Sequence, residues 1–253
     1  MTTATDRLGT EQAFHDRQAV ERSGHFPNLD SLRFHDDDYL DHETWVRPAF
    51  ARLGPLTNRR ALDFGCGHGM ASVVLARRGA RVTAFDLSPG YLHEARRRTE
   101  ANGVAVSFVQ ADGERLPFAD GSFDRVWGNA ILHHLDLPTA ARELHRVLAP
   151  GGVAVFCEPW GENPLLNLAR RRLPYPSKNR TPEESPLQRR HLTILRRVFR
   201  TVEVEGFQLL SMVRRVLRPG RLVAVLDWCD DLLLRRVPYL QQFCRYVVLT
   251  LAR

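Results

Sequence analysis

The chain has 253 residues, 43% of them hydrophobic and 26% charged, which suits one α/β domain with accessory segments and excludes a low-complexity or fibrous protein. Its formal net charge of +7 is uneven: residues 1–158 hold 18 arginines against 21 acids, whereas residues 159–253 hold 17 arginines and one lysine against 8 acids. Cysteines 66, 157, 229 and 244 have neither C-x-x-C nor Cys/His ligand spacing, so no metal site or disulfide framework is expected. The opening MTTATDRLGT has no basic and apolar leader pattern, and no apolar run approaches bilayer length. A cytoplasmic protein without a transmembrane segment is therefore expected.

Residues 1–58 carry no strand signal and predict two helical stretches, 10–22 and 37–53, separated by SGHFPNLDS. Trp45, Val46, Ala49, Phe50 and Leu53 recur at helical spacing, the pattern of a helix packed on a sheet's flank. Next comes ALDFGCGHGM at 61–70. Residues 61–64 predict the first buried strand of a parallel sheet and 70–76 the helix that follows, with Gly65, Gly67 and Gly69 in the turn. Glycines suit a sharp turn that takes positive φ and lets a ligand approach closer than a Cβ allows. A dinucleotide loop would need glycine at position 70, where Met70 stands, and a P-loop would need a following Lys-Ser/Thr pair, which is missing. Asp63 suits a ligand with an ammonium group better than one with a pyrophosphate. An ordinary glycine-rich βα turn is the plain alternative.

The pattern D-x-G-x-G-x-G opening the first βα unit resembles the S-adenosylmethionine loop of Rossmann-like methyltransferases. Residues 81–85 (RVTAF) predict a second strand ending in Asp86, 17 residues after Gly69, where Rossmann-type folds hold a ribose's two hydroxyls. Ser88-Pro89 starts a helix and Asn102-Gly103 stops it. Residues 104–109 predict a third strand, followed by Asp112-Gly113, and the resemblance implies that the Asp112 carboxylate accepts from the adenine amine. Asp112-Gly113 is also a plain turn dipeptide. Leu116-Pro117-Phe118 and then Asp120-Gly121-Ser122-Phe123-Asp124 closely resemble the menaquinone and ubiquinone C-methylase-like branch. The resemblance implies further cofactor contacts at Cys66, Leu87 and Asn129, and a helical N-terminal cap in which Tyr39 and Trp45, with Trp160, would meet the acceptor.

After a fourth strand at 125–128, His133 and His134 fall at the ligand edge of the sheet. They are similar to the His-His pair of sugar and natural-product O-methyltransferases, which implies a base; relatives with no established base also carry the pair, and a structural role stays open. Residues 138–148 predict an amphipathic helix ending in the A-P-G-G turn before the fifth strand, 153–157. That strand delivers Glu158, where an acid sits beside the substrate in some sugar O-methyltransferases; here it would orient an imidazole. A helix cap or an ion pair is the plain alternative.

From Pro159 a basic, proline-rich excursion runs to about residue 190, with bends expected at Gly161, Pro164, Pro174 and Pro176, and reads as a lid over the substrate mouth. A helix at 192–199 and strands at 202–212 and 245–251 should complete the sheet, leaving 213–243 as an amphipathic insertion whose default reading is burial against the lid and whose sharper reading is a surface for a lipid-like substrate or a membrane interface. The expected fold is α/β, a seven-stranded, mostly parallel sheet with an antiparallel last strand and helices on both faces. It divides into a cap at 1–58 and a methyltransferase domain at 59–253. The resemblance implies methyl transfer from S-adenosylmethionine, giving S-adenosylhomocysteine, to a small molecule, first of all a hydroxyl of a natural product or sugar-like metabolite. Carbon methylation of a quinone or prenyl-type acceptor, an RNA methyltransferase and a non-catalytic cofactor-binding protein are the rivals. No appended RNA-binding module supports nucleic acid as a partner, and the sequence says nothing of oligomeric state.

Overall fold

At residues 61–64 (ALDF), apolar except for Asp63, the chain makes a central strand buried on both faces, which is what a parallel strand requires. The computed structural model describes residues 4–24, 26, 28–172, 185–215, 217 and 220–253. Three helices lead in, α1 (Ala4–Ser23), α2 (Asp36–Leu40) and α3 (Val46–Ala51). Alternation follows: β1 (Arg60–Phe64), α4 (Met70–Arg77), β2 (Arg81–Asp86), α5 (Pro89–Ala101), β3 (Val106–Gln110), β4 (Phe123–Asn129), α6 (Leu137–Val147) and β5 (Leu148–Pro159). The chain ends with α7 (Pro164–Arg172), α8 (Arg189–Val198), β6 (Thr201–Phe207), α9 (Arg221–Arg236) and β7 (Tyr246–Ala252).

The strands form one seven-stranded sheet in the order β3-β2-β1-β4-β5-β7-β6. β1 to β5 pair in parallel, and β7 runs antiparallel to both β5 and β6. Side chains alternate between two cores. Leu62, Phe64, Val126, Phe156 and Leu249 face α6 and α8, while Ala61, Trp127, Val155, Cys157 and Val248 face Tyr39, Val46, Phe50 and Leu53 of the N-terminal segment. Residues 36–53 are thus part of a sheet core, as their helical apolar spacing suggests. The Leu116-Pro117-Phe118 segment is tied to α6: Arg146 donates to the carbonyls of Leu116 and Phe118, and Glu143 accepts the N–H of Leu116.

Several boundaries differ from expectation: α1 begins at Ala4 rather than at residue 10, and β5 begins at Leu148, running through the expected A-P-G-G turn, rather than at 153. Others have a local reason. The single helix expected at 37–53 is broken into α2 and α3, because the intervening turn is held by the Gln208 amide, which donates to Glu43 and Thr44. The sixth strand, expected to reach 212, stops at Phe207. Gln208 takes φ 63°, and the buried Asp230 carboxylate of α9 then accepts the N–H groups of Leu209, Leu210 and Ser211 and the Ser211 hydroxyl. Within the excursion, Asn163 accepts the N–H of Leu166 and caps α7. Its expected bends at Pro174 and Pro176 lie outside the described residues, as does Arg218 of the 213–243 insertion.

Asp230 is therefore the clasp that joins the insertion to the sheet. Asp230→Ala should leave the buried N–H and hydroxyl of Ser211 without an acceptor, at roughly 1–3 kcal/mol each and less than additively, so a loss of about 2–4 kcal/mol is expected in urea unfolding. An unchanged midpoint would show that packing alone holds α9.

Candidate functional site

The carboxyl ends of β1, β2 and β4 open on a cavity of about 270 Å³ lined by Asp63, Gly65, Gly67, Asp86, Asp112, Gly113, Asn129 and His134. This is where ligands sit in open parallel sheets. Gly65, Gly67 and Gly69 all have positive φ (69°, 48° and 81°). At Gly67 no atom lies within 4 Å of where a Cβ would stand, so its backbone is the part of the loop left bare for a ligand. At Gly69 the opposite holds: a Cβ would come 2.7 Å from that of Ala95, so this glycine lets α5 close on the loop.

The acids are held by backbone geometry. Asp63, 2% exposed, accepts the Ser72 hydroxyl at 2.5 Å; burial raises its pKa to about 7, the Asp86 charge adding to the rise and the Ser72 bond opposing it. Asp86 accepts the N–H of Gly67 at 2.8 Å and that of Ser88 at 2.9 Å, so the acid at the end of β2 also sets the glycine loop's conformation. Burial raises its pKa, against those two backbone bonds. Asp112 accepts the N–H of Glu114, and Gly113 is crowded by Phe64 and Leu135, each 3.1 Å from where a Cβ would stand. Cys66 and Leu87 line the same cavity, and burial pushes the Cys66 thiol well above its ordinary value, leaving it a neutral, inert group.

After β4 the chain makes a strained turn: Ala130 takes φ 57°, unusual for a residue with a Cβ. Glu158 holds it there. This fully buried carboxylate accepts the N–H groups of Ile131 and Leu132 through Oε1 and the Nδ1–H of His133 through Oε2, at 3.0, 2.8 and 2.7 Å. The two adjacent histidines therefore part ways. His133 is turned inward onto Glu158, with its side chain 4% exposed, whereas His134 lines the cavity. The expectation that Glu158 orients whichever imidazole meets the substrate is corrected: the imidazole it orients is not the one that faces the cavity.

Tyr39 lines the cavity and its hydroxyl accepts the Trp127 indole N–H at 3.0 Å. Trp45 and Trp160 do not reach it. Trp45 is buried in a stack on Tyr246, with ring centroids 3.9 Å apart, and Trp160 is buried with its indole N–H donating to the carbonyl of Gln242. None of the described residues of 159–190 or 213–243 lines the cavity; the two segments join each other through Trp160 to Gln242 and Asn163 to Phe243.

Residues 173–184 of the excursion lie outside the described residues; among those described, α1 supplies Leu8, Glu11 and His15 to the cavity wall. It is docked on α5 by Asp16, which accepts from the Ser88 hydroxyl and the Gly90 N–H, by Tyr91 donating to Gln18, and by the Arg22–Glu94 pair. Sequence reasoning passed over Glu11 and His15. Their signal was the i,i+4 spacing, which places a carboxylate and an imidazole on one helix face.

The family model of the methyltransferase domain matches residues 62–156. The chain is 45% identical over 107 residues to a malonyl-[acyl-carrier protein] O-methyltransferase of Enterobacter lignolyticus, covering 42% of this chain and 41% of that protein. It is 40% identical over 130 residues to a demethylmenaquinone methyltransferase of Clavibacter sepedonicus, covering 51% and 52%. These matches thus span about two-fifths to a half of the relatives' length. Among solved structures, the fold is similar to that of an S-adenosylmethionine-dependent methyltransferase of Thermotoga maritima (16% identical, 95% and 98% covered, TM-score 0.59). It is similar also to that of the geranyl diphosphate C-methyltransferase of Streptomyces coelicolor (18% identical, 82% and 77% covered, TM-score 0.57).

The buried acid of β1 gives a pH prediction for the ligand-free chain. Its folded pKa of about 7 lies above the ordinary 3.8, so between roughly pH 4 and 7 the folded state keeps a proton that the unfolded state releases. This contribution to stability is present at low pH and is lost as pH rises through 7. Thermal unfolding of Asp63→Asn should gain on the wild type as pH is raised from 4 to 8; parallel curves would mean that Asp63 is ionised throughout.

Proposed function

We propose that this chain, whose residues 62–156 are a methyltransferase domain of the Rossmann-like class, transfers the methyl group of S-adenosylmethionine to a small-molecule acceptor, foremost a hydroxyl. The observation that carries the reading is the convergence of Asp63, Asp86 and Asp112 on one cavity at the bare backbone of Gly67. A buried carboxylate that is half protonated near neutrality is stabilised as an anion by a ligand's ammonium group, which gives Asp63 its role. Asp86 retains lone pairs beyond those used by Gly67 and Ser88 and would accept from the ribose hydroxyls. Asp112 would accept from the adenine amine.

When bound, S-adenosylmethionine supplies an electrophilic methyl group on sulfur and departs as S-adenosylhomocysteine. The chain's task is to hold donor and acceptor in line and exclude water, which is worth up to about 7–11 kcal/mol of barrier. α1 and Tyr39 close the cavity, and His134 is the polar group of the loop after β4 that faces the acceptor's side. Loss of a hydroxyl proton assisted at that end would add roughly 10²- to 10⁴-fold. Glu158 acts through the loop it holds.

A carbon acceptor of quinone or prenyl type is the second reading. It is favoured by the demethylmenaquinone methyltransferase relative and by the exposed apolar stripe of Leu222, Val225 and Trp228 on α9. A nucleic-acid acceptor draws less support, because arginines such as Arg47, Arg146 and Arg245 are engaged with carboxylates of the chain itself.

Calorimetry should show binding of S-adenosylhomocysteine and S-adenosylmethionine. Asp86→Ala should weaken it, with roughly 1.5–3 kcal/mol as the guide for each hydrogen bond to a charged acceptor. Binding of NAD in their place would overturn the reading. His134→Ala should lower turnover far more than cofactor affinity; equal turnover in the variant would leave positioning alone as the mechanism. Mass spectrometry of the product then separates oxygen from carbon methylation.

A further inference from the structure

Where α1 crosses the loop after β4, Glu11, His15 and His134 meet at the cavity wall, and together they form a group of metal-ligand type among the described residues. Glu11 Oε2 lies 3.4 Å from His15 Nε2 and 3.4 Å from His134 Nδ1, and the three atoms are all within 4.8 Å of one another. A direct N–H···O bond would bring each pair to about 2.7–3.2 Å. Two ligand atoms on a tetrahedral ion with bonds of about 2.0–2.2 Å stand about 3.4 Å apart, which is the spacing from Glu11 to each imidazole. The spacing suits atoms bound to one cation.

The next shell is arranged accordingly. His15 Nδ1 lies 3.3 Å from Gln18 Oε1, the same oxygen that accepts the Tyr91 hydroxyl at 3.0 Å. An amide oxygen accepts from Nδ1–H, which leaves Nε2, the nitrogen on the Glu11 side, as the atom that would bind the ion. A ligating imidazole that donates its other N–H to an oxygen is the usual arrangement around a metal. Glu11 is 8% exposed and the histidine side chains are largely covered, so packing holds the three groups in place.

We propose that Glu11, His15 and His134 bind a divalent transition-metal ion of the zinc type. Two imidazoles and a carboxylate suit zinc, cobalt or nickel, whereas magnesium and calcium prefer all-oxygen sites. Three protein ligands leave a fourth position, and it faces the cavity that all three residues line. That position takes an oxygen of the acceptor and favours release of its hydroxyl proton to solvent, as zinc does for bound water. This last step rests on the reading of the cavity as a methyl-transfer site; the ion site itself does not. The same ion would pin α1 to the loop after β4, so that closure and acceptor activation share one bond set.

The full chain, stripped with EDTA and titrated with zinc chloride in a calorimeter, should bind one ion per chain. His15→Ala and Glu11→Ala should each lose about 100-fold or more in affinity, and Gln18→Leu, which touches no ion, about 10- to 100-fold. Cobalt(II) in the wild type should give visible bands of a four- or five-coordinate site without thiolate charge transfer, a readout that needs no variant to fold. Thiolate bands would put the ion on cysteine and overturn the assignment, as would a wild type that retains no zinc or variants that bind it equally. S-adenosylhomocysteine titrated into the metal-free wild type tests the methyl-transfer reading separately. Its failure alongside stoichiometric zinc would leave the ion site and remove the acceptor from it.

Discussion

A carboxylate with no exposure to water must be met by donors on every side, and at the end of β5 this requirement fixes the ligand face of the molecule. Glu158 draws in the backbone of Ile131 and Leu132 and the ring of His133, and so holds the turn at Ala130 in a conformation that a Cβ disfavours. With that turn in place, His134 lines the cavity, as does Asn129 at the end of β4. The strand pairing supports the arrangement from below. Glu158 stands opposite Val247 of β7, on a strand whose next residues are already committed to the bond from the Trp160 N–H to the Arg245 carbonyl.

The other wall is built in the same way. Asp86 ends β2 and, by accepting from Gly67 and Ser88, sets the glycine loop and the start of α5 together. Ser88 in turn caps α5 through the Tyr91 N–H and donates to Asp16 of α1. One chain of hydrogen bonds therefore runs from the ligand loop to α1.

Local charge pairing accounts for much of the arginine content. Arg60 reaches Asp124, Arg98 reaches Glu94 and the His68 carbonyl, and Arg146 gathers Asp120, Glu143 and two carbonyls. Such pairs add little stability at the surface, about 0–1 kcal/mol each, but they bind loops to helices at defined places. The excess of positive charge in the last third does not lie on α9, where Arg221, Arg235 and Arg236 are matched by Asp227, Asp230 and Asp231 around the exposed Leu222, Val225 and Trp228.

The sequence by itself determined the sheet, the glycine loop and the acids at the ends of the first three strands. These follow from local causes: apolar runs set buried strands, glycine spacing sets the turn, and a strand's carboxyl end is fixed once its bounds are known. It also marked the Ser88-Pro89 start of α5 and the break of the pattern after Pro159. Only the tertiary structure decided which histidine faces the cavity, because the choice belongs to Glu158, whose partners lie on another strand. Only it showed that Trp45 and Trp160 are buried away from the cavity and that α1 contributes to its wall. Glu11 and His15 are readable as an i,i+4 pair on a helix, yet nothing in their neighbourhood along the chain points to His134. Their meeting depends on how α1 docks on α5, a contact between distant segments that periodicity and spacing do not encode.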